Sequence, residues 1–88
     1  MNDDVFNALG NVYRREIIRL LRDGEKSAGE IVSNFDIAQP SISRHLDVLK
    51  KADIVSASRV GNQIIYSLNS KTLEDLVVCC AKMLPFDK

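Results

Sequence analysis

A chain of 88 residues, 45% of them hydrophobic, suffices for one small domain and is too apolar to be disordered by composition. Twelve basic side chains balance twelve acidic ones, so the formal net charge is zero. That excludes a polycationic coat for nucleic acid, but not a specific binder whose positive charge is gathered on one face.

The elements follow in chain order. Residues 3–9 predict a short amphipathic helix with Val5, Phe6 and Leu9 on one side, interrupted by the turn residues Gly10 and Asn11. Residues 12–22 predict a second helix, because Tyr13, Ile17, Leu20 and Leu21 recur at helical spacing. Gly24 after Asp23 suits a left-handed C-terminal cap. A third helix is expected over 27–35, with Ser27 and Glu30 at capping-box spacing and Ile31 and Phe35 facing inward. After a tight connection at 36–38, a fourth helix runs from Gln39 to about Ala52. Pro40 fits its first turn, and Ile42, Leu46 and Leu49 form its apolar seam.

The period then changes to two. Residues 54–59 and 63–68 read as strands, with Gly61-Asn62 as the hairpin tip. Ile64, Tyr66 and Leu68 lie on one face of the second strand, Ile65 and Ser67 on the other. A last helix is expected over 70–84, with Leu73, Leu76, Val77, Cys80 and Leu84 on one face, and Pro85 stops it. The expected fold is mainly α with a small β-hairpin, a winged helix-turn-helix of order α-α-α-α-β-β-α, in a single domain over 1–88.

Charge is gathered in two windows. Residues 14–26 hold Arg14, Arg15, Arg19, Arg22 and Lys26 against Glu16, Asp23 and Glu25. Residues 39–51 hold Arg44, Lys50 and Lys51 against Asp47. The second window opens with Gln39-Pro40-Ser41-Ile42-Ser43-Arg44-His45-Leu46. A helix that reads DNA presents its first turns to base edges in the major groove. Gln pairs bidentately with adenine and Arg with guanine, while serines let the backbone approach. A solvated helix face is the competing reading of the same residues taken singly.

That octapeptide with Leu49, followed by Arg59-Val60-Gly61-Asn62 and Ile65-Tyr66-Ser67-Leu68, resembles the ArsR family of winged-helix repressors. The likeness runs from about Val5 to Leu84 and includes Ala8-Leu9 and Arg14-Arg15-Glu16-Ile17-Ile18. The resemblance implies a repressor that binds a palindromic double-stranded operator as a homodimer paired through its first and last helices. Helix 39–51 would enter the major groove, and hairpin 54–68 would be the wing. It further implies that Gln39, Ser41, Ser43, Arg44 and His45 face the groove or its phosphates. Arg59, Asn62 and Gln63 would sit on the wing near the minor groove or backbone.

The chain departs from the family pattern in two places. Asn11-Val12-Tyr13 replaces a common Asp-Pro-Thr, which predicts a looser start to the second helix. Ala38 stands where a Ser or Thr usually caps the recognition helix, a loss of about 1 kcal/mol. Metal-sensing relatives place ligands where this chain has Ser27 and Gly29, or Ser70, Thr72, Met83 and Phe86. Neither set forms a metal site, so no metal or cofactor is expected, and the likeness is to members without sensor ligands, the autorepressor type.

Cys79 and Cys80 are adjacent, so no disulfide framework exists and a reducing compartment is expected. Cys80 is expected to be buried on the last helix's stripe, with Cys79 off it. An alternative has one of them sense oxidants, persulfide or a thiophilic ion across the dimer. His45, the chain's one histidine, is expected to pack at the edge of the helix and donate to a phosphate or base. For Arg14-Arg15 three readings stay open: a solvated face, an internal salt bridge or phosphate contact. With no membrane-length apolar run and no signal-peptide pattern, a cytoplasmic location is expected. Two rivals remain. One is a winged-helix protein-interaction module without DNA binding. The other, an enzyme, finds no phosphate loop or nucleophile–base pair to support it.

Overall fold

Local capping decides where the helices begin. In the computed structural model, which describes residues 3–85, α1 (Asp3–Leu9) turns at Gly10 into α2 (Val12–Leu21). Asn11 is the cap: its Oδ1 accepts from the backbone N–H of Tyr13 at 2.9 Å and of Arg14 at 3.3 Å. The looser start expected from the missing Asp-Pro-Thr is therefore not found, because the Asn side chain satisfies the same orphan donors. Gly24 follows α2 at φ 132°, a conformation that side chains disfavour.

The third helix is shorter than expected and is preceded by a strand. Lys26–Ser27 form β1, and α3 spans Ala28–Ser33. Ser27 serves both elements. Its hydroxyl accepts from the Glu30 N–H at 3.1 Å, and its own N–H donates to the Glu30 carboxylate at 2.8 Å. The expected capping box is thus present, and the Ser27 backbone hydrogen bond holds the Glu30 carboxyl below its ordinary range.

Residues 34–38 lead into α4 (Gln39–Lys51), which starts on Ala38 without a side-chain cap, as the sequence predicts. Its end is a Schellman motif. Ile54 N–H donates to Leu49 C=O at 3.0 Å, Asp53 N–H donates to Lys50 C=O at 2.9 Å, and Asp53 takes φ 62°. β2 (Val55–Val60) and β3 (Gln63–Leu68) follow, joined at Gly61-Asn62. Gly61, at φ 61°, supplies the positive φ that a two-residue hairpin turn needs at its first central position.

The sheet is antiparallel with order β1-β3-β2, so the expected hairpin gains a third strand. Lys26 pairs with Tyr66 and Ser27 with Ile65; across the hairpin, Val55 pairs with Leu68 and Val60 with Gln63. One core unites the first four helices and the base of the sheet. Ala8, Ile17, Ile31, Ile42, Leu49 and Ile54 are fully enclosed there.

The last helix, α5 (Ser70–Ala81), stops short of the expected residue 84 and buries no residue fully. Leu73 and Leu76 reach the core's edge, while Val77, Val78, Met83 and Leu84 are exposed. Cys80 is exposed and Cys79 half-buried, the reverse of the expected order. The stripe that was to bury Cys80 meets the body of the subunit only through its first turns. Beyond them, no described residue buries α5, and the molecule measures 50 × 24 × 21 Å.

Candidate nucleic-acid interface

The geometry of α4 follows from its seam. Ile42, Leu46 and Leu49 recur at helical spacing, and all three are buried. At about 100° per residue, the opposite side is centred on Pro40, Arg44, Asp47 and Lys51, with Ser43 on one flank and Ser41 and His45 on the other. Exposure agrees: Gln39, Ser43, Arg44, Asp47, Lys50 and Lys51 are exposed, and Ser41 and His45 are half-buried. The helix therefore carries a donor-rich outer face on an apolar inner one. Asp47 is a member of that face which the sequence reading left out, although its spacing from Arg44 would have revealed it.

The hairpin leaves the body soon after its base. In β2 Val55 is buried and every later residue is exposed; in β3 Tyr66 is buried and Gln63 and Ile64 are exposed. Strict alternation of burial fails at the tip because both faces there meet solvent, which leaves Val60 61% and Ile64 41% accessible. Arg59, Asn62 and Gln63 are gathered at this free end. The Arg59 Nε–H donates to Gly61 C=O at 3.3 Å, which braces the turn.

Arg14 and Arg15 take up a role outside the three readings that the sequence left open: both donate to backbone carbonyls, and Arg15 stays exposed while it does so. Arg14 donates from Nε to Ala8 C=O at 2.7 Å and from Nη2 to Asn7 C=O at 3.1 Å. Arg15 donates from Nη1 to Leu9 C=O at 2.7 Å. Both guanidinium groups thus cap the C-terminus of α1, where free carbonyls and the helix dipole favour cations. Arg19 pairs with Glu16 at 3.1 Å on the surface. Arg14 and Arg15 are thus engaged with α1, while Arg19 and Arg22 stay exposed on α2 and at its end, in addition to the outward charge of α4 and the wing.

His45 points toward α2 rather than outward. Its ring stacks on Tyr13, centroids 5.8 Å apart and planes 23° apart, and its Nδ1 lies 3.4 Å from Arg14 Nη1. Tyr13 in turn meets Phe35 edge-on at 6.2 Å. Burial holds the imidazole below its ordinary pKa, and the charges of Arg14 and Arg44 add to the effect.

Among the described residues no group of three His, Cys, Asp or Glu is placed to hold a metal ion, and no helix is long and apolar enough to cross a membrane. Ser27 is occupied as a cap, and Thr72 donates its hydroxyl to Asp53 C=O at 2.7 Å. Phe86 lies outside the described residues.

Two helices joined by a short connection, the second with a polar outer face, and a free hairpin beside them define a winged helix-turn-helix protein. Residues 11–57 match the bacterial regulatory protein, arsR family. The chain is 44% identical over 75 residues to the transcriptional repressor SdpR of Bacillus subtilis, spanning 85% of this chain and 83% of that one. A crystal structure of an ArsR family transcriptional regulator superposes with a TM-score of 0.87 at 21% identity, over 92% of this chain and 89% of that one, a likeness of fold. The transcriptional repressor BigR from Xylella fastidiosa superposes with a TM-score of 0.73 at 30% identity, over 92% and 83%. The chain belongs to the ArsR family of bacterial regulatory proteins.

Proposed function

We propose that this chain is a cytoplasmic DNA-binding transcriptional repressor that grips a palindromic operator as a homodimer. The observation that carries the reading is the two-sided character of α4: a buried Ile42–Leu46–Leu49 seam beneath exposed Gln39, Ser43 and Arg44. Arg44 and Gln39 meet base edges in the major groove, Ser41 and Ser43 contact bases or phosphates, and Arg59, Asn62 and Gln63 meet the adjoining groove or backbone. Relatives named as repressors support repression as the outcome. The exposed apolar side chains of α5 with Phe6 of α1 support pairing of two copies through the first and last helices. Two α4 helices then enter successive major grooves, and occupancy of a promoter blocks polymerase.

The test is fluorescence anisotropy on DNA from upstream of the protein's own coding sequence, with Arg44→Ala alongside. The wild type should bind with salt-sensitive affinity, and the variant should bind about 10- to 100-fold more weakly. No binding by the wild type at low salt to this DNA or to selected genomic fragments would leave the protein-interaction reading in its place.

A further inference from the structure

We propose that His45 is a positioning residue that fixes the recognition helix to α1 through Arg14, and that it does not itself contact DNA. The inference rests on the DNA-binding reading above and assigns a different task to one residue of the same helix. A guanidinium can only donate, so the 3.4 Å approach of Arg14 Nη1 to His45 Nδ1 requires that nitrogen to be bare, with the ring proton on Nε2. The same guanidinium holds Ala8 C=O and Asn7 C=O at the end of α1. One planar fork thus joins three helices: carbonyls of α1, the stem of α2 and the imidazole of α4.

The stack on Tyr13 sets the plane of the ring, so its acceptor edge is turned toward Arg14. Burial, then Arg14 from α2 and Arg44 from α4, all disfavour a second proton on the ring. A phosphate contact would favour that proton instead. His45 lies at the rear flank of α4, three residues past Ile42 and one before Leu46, both buried. A tether at that point sets the roll of the helix, and with it the direction in which Ser43 and Arg44 project.

Because the chain has a single histidine, its tautomer is readable directly on the wild type by long-range ¹H–¹⁵N correlation at neutral pH. The expected form carries the proton on Nε2; a proton on Nδ1 would overturn the proposal. Operator affinity is then measured against salt for wild type, Arg44→Ala, His45→Asn and His45→Leu. Asn places Oδ1 on Cγ, close to where Nδ1 stood, and should stay within about twofold of wild type; Leu has no acceptor and should bind about five- to tenfold more weakly. The salt slope should be the same for all three residues at position 45, whereas loss of a phosphate contact would lower it by about one and refute the tether. A His45→Asn variant as weak as His45→Leu would refute it too, while Arg44→Ala remained impaired and the DNA-binding reading stood. Failure of the wild type to bind any DNA would overturn both.

Discussion

Asp53 shows what one backbone conformation contributes. It sits just beyond α4 at φ 62°, a region that L side chains enter at a cost and that glycine enters freely. Its carbonyl accepts from Asn69 Nδ2 at 2.9 Å and Thr72 Oγ1 at 2.7 Å, so the position also anchors the start of α5. Both bonds use backbone oxygen and survive any side chain there. Asp53→Gly should therefore raise stability by about 0.5–1 kcal/mol, read as a higher denaturant midpoint at unchanged slope. A lower midpoint would mean that the aspartate side chain has its own stabilising task. His45 supplies a second residue-scale expectation, from proton linkage. Its pKa is lowered in the folded state, first by burial and then by Arg14 and Arg44, so the unfolded chain takes up a proton more readily. The associated stability is present above the unfolded imidazole pKa and is lost as pH falls through the folded one. His45→Asn should thus flatten the decline in melting temperature between about pH 7.5 and about pH 5, relative to wild type. Parallel curves for the two proteins would remove His45 from the account.

Among the helices, α4 alone of the expected weak starts proves weak. Ala38 has the extended backbone of a cap, φ −63° and ψ 145°, and no side chain to use it. Ala38→Ser puts an oxygen within reach of the Ser41 N–H, and thermal denaturation should show a gain of about 0.5–1 kcal/mol. No gain would mean that the short bond from Ser41 N–H to Ala38 C=O, 2.9 Å, already satisfies that donor. The elements divide clearly into those the sequence announces and those it hides. The seam Ile42–Leu46–Leu49 and the Gly61-Asn62 turn are announced, because a helical period and a turn residue are local properties. The Ser27–Glu30 box is announced for the same reason. β1 is hidden: two residues carry no period, and they become a strand only by pairing with Tyr66 and Ile65 of a distant element. The Arg14 and Arg15 caps are hidden as well, since they depend on how α1 and α2 meet across Gly10. At the candidate interface the outer residues of α4 were legible from composition and spacing. The inward turn of His45 was not, because nothing local tells a ring which neighbour it will stack on.

At the scale of the whole molecule, shape and surface belong together. The Cα radius of gyration is 14.1 Å, above the roughly 12 Å of a compact chain of this length, because α5 extends from the body with Val77, Val78, Met83 and Leu84 in solvent. If the proposed pairing through α5 holds, the wild type sediments as a dimer at equilibrium, and Val77→Glu should convert it to a monomer and weaken DNA binding with it. A variant that remained dimeric would move the contact to another surface. α5 holds no fully enclosed side chain, and under the proposed pairing a second copy supplies the packing it lacks. Dilution then acts on the fold as well as on the pairing: melting temperature should climb with protein concentration by mass action. On that proposal, copy number in the cell would set how much of the repressor is paired through its last helix, and with it the threshold for silencing.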